Sequence, residues 1–424
     1  MIASQFRKND QGKLKLSEAL ELSPVMTYFH RSLESESADI MDNFLRLPGV
    51  HVVMVGPSGC SRVLYFRAER KGLADRLRVY PISSADFAVG RHMEELEKLV
   101  ESIAQEENPR GIVINISCID SLAVNDFDSI IRKMKKDYGV LVQVYHRGPL
   151  IRNRETSQSR FSDLFENLLE NGESGENKHQ VNLLSSGEVL PDDSPLLKML
   201  LQIYPRESIK EFANLRTTED LQDLTASELN ILVGGFGFGI AVEMEKKWGI
   251  PFQALSTCFY PDEVHQVMKQ LTDRLHVTWD FESEKKEFFE LINKVAPTLK
   301  GKKIAIGLGS RSLELAWLLK EFGIEVQVIL LDYVLFSYPF MDIPGYIIPN
   351  EKLYGSKLLE EGQDLDIYLT TNITYQMRRE ELSKIDIAIG SRAAGYCKNA
   401  KKIELSTGYK QGYAGINEIL EALQ

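Results

Sequence analysis

KKIAIGLGSRSLELAWLLKEFGIEVQVILLD, Lys302–Asp332, contains a complete strand–helix–strand unit. A short apolar run ends on Gly307 and Gly309. SRSLELAWLLKEFG then spaces its apolar residues as a helix does and stops on Gly323. IEVQVILLD follows as a second run rich in branched residues. Such a crossover lays two strands parallel with the helix across the face of their sheet.

The same alternation extends outward in both directions. VHVVMVG (Val50–Gly56) reads as a buried strand, and GIVINIS (Gly111–Ser117) and VLVQVYH (Val140–His146) read as a second and a third strand. The segments between them, SRVLYFRAERKGLADR and NDFDSIIRKMKKDYG, read as helices, the second capped by Asn125 or Asp126. Residues up to Arg46 read as mostly helical and polar. The turn-rich ENGESGENKH, Glu170–His179, marks a domain boundary. Beyond it HQVNLLSS, LNILVGG and IPFQAL are strand-like, with helices GIAVEMEKKWG and PDEVHQVMKQLTDRL. LDIYLTTN, KIDIAIGS and the helix AGINEILEALQ close the chain. The expected fold is α/β, with three Rossmann-like domains carrying parallel sheets over 1–175, 176–290 and 291–424.

The chain has 424 residues, a formal net charge of -11 and four cysteines. The negative charge argues against nucleic acid and against anionic membrane surfaces as partners. No apolar run reaches the roughly 18 residues of a membrane span, and the first residues lack the apolar core of a signal peptide. So few cysteines do not form a disulfide framework, which places the protein in a reducing cytoplasm.

Ligands of open parallel sheets bind where strands lead into helices. Cys60, in VGPSGC, and Cys118, in INISCIDS, both follow such strands. Gly56 and Gly59 permit a sharp turn around Cys60. A helix N-terminus beyond the turn would favour a thiolate. Each cysteine also reads as a small residue packed beneath a turn. Gly234, Gly235, Gly237 and Gly239 clear side chains from another strand end, either for a bulky ligand or for close helix-on-sheet packing. Gly307–Ser312 with Arg311 reads as an anion or carboxylate site, or as helix–strand packing. Cys258 reads as a buried small residue, and Cys397 has no assigned role. His51 reads as a core residue, while His92 either faces an interface or does not. No P-loop signature occurs.

GPSGC, DFAVGRHMEELEKLV, SCIDSLAVNDFDSI with Asp126 eight residues after Cys118, MEKKWGIPF, GKKIAIGLGSRSLELAWLLKEFGIEV and GYAGINEIL occur in that order along most of the chain. Together they resemble the nitrogenase component 1 superfamily of catalytic subunits, cofactor-assembly scaffolds and related reductases. The resemblance implies that Cys60 and Cys118 are iron–sulfur ligands and that Asp126 supports them or caps its helix. It also implies an ATP-dependent iron–sulfur reductase as partner.

The sequence departs from the family in two places. Nitrogenase-type subunits carry an earlier cluster cysteine, where this chain reads FHRSLESESADI. Two cysteines leave a four-iron cluster short of its four protein ligands. A homodimer or a heterodimer with a paralogous subunit, sharing one [4Fe-4S] cluster at the interface, would supply the rest. Glu34, Glu36 or Asp39 is the carboxylate alternative. The second-domain segment ILVGGFGFGIAV has no cysteine and no histidine follows His276, so no FeMo-type cofactor is expected. The expected function is an iron–sulfur oxidoreductase subunit acting on an unidentified substrate. A non-catalytic scaffold or partner subunit of the same family, and a metal-free α/β small-molecule binding protein, are the alternatives.

Overall fold

The structure is a computed structural model. It describes residues 13–21, 43–117, 125–147, 157–169, 178–185, 189–233, 237–256, 258–308, 311–331, 351–370, 373–403 and 412–424. The side chains of Cys60, Val63, Arg147 and residues 157–160 lie outside that description. The chain divides into two compact units. One comprises Leu33–Val189 and Tyr204–Gln253, and the other comprises Met1–Ser32, Leu190–Ile203 and Ala254–Gln424.

The fold is α/β with parallel sheets. After the short β1 (Lys13–Lys15), a four-stranded sheet takes β2 (Val50–Gly56), β3 (Leu77–Pro81), β4 (Gly111–Ser117) and β5 (Leu141–Arg147) in the order β3-β2-β4-β5. Every pairing in it is parallel. β2 and β4 are buried along their whole length, which is why both read as largely apolar runs without alternation. Between these strands run α1 (Ser58–Arg70), α2 (Arg91–Glu106) and α3 (Phe127–Tyr138). Asp126 caps α3 by accepting from Ser129 N at 3.3 Å, and left-handed Gly139 ends it. Phe127, Ile130 and Met134 of α3 join Leu96 and Val100 of α2 against Ile112, Ile114 and Ile116 of β4. Burying a side chain of this size contributes about 2 kcal/mol.

A second four-stranded sheet runs β7-β6-β8-β9, from β6 (Val181–Leu184), β7 (Ile209–Glu211), β8 (Leu229–Val233) and β9 (Phe252–Leu255). β6 pairs parallel with both β7 and β8. Gln180, Asn182 and Ser227 are buried here without cost because they bond one another: Ser227 Oγ donates to Asn182 Oδ1 at 2.7 Å, and Gln180 Nε2 donates to Ser227 Oγ at 2.8 Å.

The third sheet has six strands in the order β1-β12-β11-β10-β13-β14, with β10 (Ile304–Ile306), β11 (Val326–Leu331), β12 (Asp366–Leu369), β13 (Ile387–Ile389) and β14 (Lys401–Ile403). The crossover expected at Lys302–Asp332 is β10, then α4 (Ser312–Glu321), then β11, with β10 and β11 parallel. β1 joins this sheet antiparallel to β12, pairing Lys13 with Tyr368. Lys13 Nζ there meets Asp366 and Glu381 at 2.9 and 2.8 Å. Residues 13–15 therefore differ from the helical reading of the chain's beginning. Three residues are too few to show a period, and their pairing partner is more than 350 positions away.

Candidate functional site

In the first sheet, β2 and β4 are direct neighbours, with Val55 opposite Ile116. Their carboxyl ends therefore emerge side by side. Gly56 has φ of +154°, and a Cβ there would stand 2.5 Å from Ser117 Oγ and 2.8 Å from its Cβ. The glycine is required because the two strand ends touch. Pro57 then sets the turn, and α1 begins at Ser58, so Cys60 is the third residue of a helix whose first amides have no intrahelical acceptor. A Cβ at Gly59 would meet nothing within 4 Å, and Ser58 and Gly59 are exposed. Cys118 directly follows Ser117 and lies outside the described residues, as does the Cys60 side chain.

Two hydroxyls flank the cysteine positions. Ser61 Oγ and Ser117 Oγ are buried and have no hydrogen-bond partner among the described residues. Polar groups sealed away like this ordinarily find a partner, and their absence costs about 1–3 kcal/mol each. Unspent donors next in sequence to two cysteines are of a kind that suits an iron–sulfur group, whose sulfurs accept hydrogen bonds. Among the described residues no three His, Cys, Asp or Glu side chains converge as a metal site.

Gly56→Ala is expected to lower stability by about 3 kcal/mol, from the positive φ and the contact with Ser117 together. Urea denaturation checks this. Adding Ser117→Gly should recover the part due to contact but not the part due to φ. A Gly56→Ala midpoint equal to that of the parent would mean the strand ends separate freely.

The remaining candidate residues sit as follows. Asp126 is exposed at the start of α3, where its carboxylate is engaged in the cap. His51 is buried in β2, with Nδ1 3.4 Å from Glu107 Oε2, and burial lowers its pKa. His92 is buried near the start of α2, stacked on Phe87 at 5.2 Å, and its Nε2 has no partner. Gly234, Gly235, Glu34, Glu36 and Asp39 lie outside the described residues.

Arg311, in the other unit, is 5% exposed. Its Nη1 donates to Glu314 Oε2 at 2.6 Å and to Glu263 Oε2 at 3.1 Å. Glu314 Oε1 accepts from Phe259 N and Tyr260 N at 2.6 and 3.0 Å. An anion from outside would have to compete with two carboxylates of the same chain. Gly307 and Gly390 also have a packing reason: a Cβ on Gly307 would lie 2.5 Å from Ala393 N, and one on Gly390 would lie 2.6 Å from Gly307 O.

Glu314 and Glu351 belong to this buried group and escape a reading of the sequence, where each looks like a solvent-facing helix charge. Glu351 is 2% exposed. Its Oε2 accepts from Leu313 N at 2.9 Å, and its Oε1 has no partner. Burial raises the pKa of both carboxyls, against the opposing charge of Arg311.

The chain matches the sequence model of the nitrogenase component 1 type oxidoreductases over residues 41–335. It is similar to the nitrogenase iron-molybdenum cofactor biosynthesis protein NifE of Clostridium pasteurianum, 21% identical over 290 residues. That match covers 65% of this chain and 62% of the relative, less than two thirds of the relative's length. Among solved structures, nitrogenase Cp1 at pH 6.5 superposes with a TM-score of 0.62 at 17% identity, covering 92% of this chain and 90% of that one. Nitrogenase Cp1 at pH 5 gives 0.55 at 14% identity, covering 95% and 90%. These two share the fold. The family model spans well over half of the sequence, and the chain belongs to the nitrogenase component 1-type oxidoreductase family.

Proposed function

We propose that this chain is an iron–sulfur subunit of a nitrogenase-like system, with Cys60 and Cys118 holding a [4Fe-4S] cluster shared at a subunit interface. The observation that carries this reading is the contact of Gly56 with Ser117. It starts both cysteine-bearing segments from one point on the sheet. A cluster bound there would supply one-electron redox chemistry at an exposed edge of the unit. The chain's own residues would supply two thiolates, the positive end of α1 and the free hydroxyls of Ser61 and Ser117. With two cysteine ligands per chain, the remaining ligands in this reading come from a second chain, whether a copy or a paralogue. The electron donor in this reading is an ATP-dependent iron–sulfur reductase.

A second reading, a scaffold subunit for cofactor assembly, is favoured by the similarity to NifE. The two readings share the cluster and differ in turnover. Anaerobically purified complex is expected to contain about two irons per polypeptide if two like chains share four. Oxidation of that cluster should become reversible by a nitrogenase-type reductase only with ATP. Reduction that proceeds equally without ATP would reject the reductase partner, and protein free of iron would reject both readings.

A further inference from the structure

One helical groove in the unit formed by Ala254–Gln424 and Leu190–Ile203 combines acidic walls with an unspent polar floor. It lies between Phe281–Val295 and the terminal helix Tyr413–Leu423, and Phe288 of the first helix packs on Tyr413 of the second with ring centroids 5.7 Å apart. Asn417 and Glu421 follow Tyr413 at four-residue intervals, so they share one helix face. Glu284, Glu287 and Asp193 also line the groove, and Glu418 adds a fifth carboxylate to a cleft of about 230 Å³. That is room for several waters of about 30 Å³ each.

Asn417 is 8% exposed, it lines the cleft, and its Oδ1 has no hydrogen-bond partner. Glu284 Oε2 is also buried without a partner, and a Cβ on Gly412 would lie 3.7 Å from it. Burial raises the Glu284 pKa, with the Trp279 indole acting against it. A buried amide oxygen and a buried carboxylate oxygen both accept hydrogen bonds; among the described residues the amide oxygen has no donor, and the carboxyl has only the Trp279 indole and the more distant charge of Lys198. The charge that would relieve them is positive, and the groups that would satisfy them are N–H donors. No three of the carboxylates converge tightly enough to chelate a metal ion. Dispersed acceptors along a groove match an extended organic cation, whose ammonium carries several N–H donors at the end of an apolar stem.

We infer that this cleft binds an alkylammonium group, with Asn417 Oδ1 and Glu284 accepting from the ammonium and the other carboxylates supplying the field. The chemistry is common to a free polyamine and to a lysine side chain of a partner protein.

Calorimetric titration of the full-length protein at low ionic strength tests this with spermidine in one arm and Nα-acetyl-lysine methylamide in the other. Saturable one-to-one binding of spermidine alone assigns the site to a free polyamine. Binding of both probes assigns it to the ammonium tip whatever carries it. Asn417→Leu leaves the net charge unchanged and is expected to weaken binding at least tenfold. Glu284→Gln should do the same, and Asn417→Asp should strengthen binding. Glu290→Gln, on the exposed side of Phe281–Val295 beside Lys286, is the control and should change nothing. Because Asn417→Leu removes an unsatisfied buried oxygen, its melting temperature should not fall. If the charge-changing variants weaken binding and Asn417→Leu does not, the cation is held only by the general negative field. The inference is then overturned, as it is if neither probe binds.

Discussion

In anaerobically prepared protein, Cys60→Ser and Cys118→Ser are each expected to abolish bound iron and the visible absorbance. Cys258→Ser and Cys397→Ser should leave both intact. The contrast follows from what surrounds each thiol. Cys258 is 5% exposed, and burial drives its pKa far above that of an ordinary thiol. Cys397 is fully buried among Ala305, Leu330 and Ala393, and burial pushes it up to about 11. A thiol that stays protonated near neutral pH is neither a ready nucleophile nor a ready metal ligand. Both behave as small apolar residues, so serine there should cost stability and leave metal content unchanged. Cys60 stands in the first turn of a helix next to the exposed Ser58 and Gly59, and on the proposed reading the unpaired amides and helix dipole there would favour a thiolate. Cys118 leaves the neighbouring strand end. Iron analysis and absorbance spectra of the four variants decide the matter. Full iron retention in Cys60→Ser and Cys118→Ser, or equal loss in Cys258→Ser, would remove the basis of the cluster assignment.

The strands that sequence patterning reveals most plainly are those buried on both faces, although the edge strands β5 and β9, only partly buried, are also legible as runs rich in apolar residues. β2, β4 and β8 are predominantly apolar, interrupted only by His51, by Asn115 and Ser117, and by Asn230, and the structure buries every residue of each. Four strands lack that signal: β1, β3, β7 and β14. Each lies at an edge of its sheet. β3 buries only Leu77 fully, and β14 only Ile403, so neither shows an apolar run or a full period. Missing β3 also stretched the first helix: it ends at Arg70, where Gly72 turns with φ of +66°, and does not continue to Arg76. The site divides in the same way. Glycine, proline and cysteine at strand ends announce Gly56 and Cys60. The pairing that sets Gly56 against Ser117 joins positions about sixty residues apart and has no local signature. Glu314 and Glu351 are the extreme case, because charged residues on a helix ordinarily mark its wet face.

Those glutamates underlie the second large effect expected. Arg311→Met should lower stability by about 3–5 kcal/mol, because removing one member of a buried ion pair leaves the others uncompensated. Glu314 and Glu263 would lose the guanidinium that both contact, while Glu314 would still accept from Phe259 N and Tyr260 N. The loss should depend on pH, and its sign follows from proton linkage. A carboxyl with a raised folded pKa binds more protons folded than unfolded, so stability is greatest below its unfolded pKa and falls as pH rises through the window. Removing Arg311 takes away the charge that opposes this shift, which widens the window upward. The deficit of Arg311→Met should therefore be largest at about pH 8 and shrink toward about pH 5 in urea unfolding. Glu351→Gln supplies the converse. The amide oxygen retains the bond from Leu313 N, the charge is gone, and the variant should gain stability over the parent as pH rises. A deficit in Arg311→Met that grows on acidification would mean that the carboxyls, once protonated, lose more than they gain. The cluster would then be held by ionised groups that its burial disfavours.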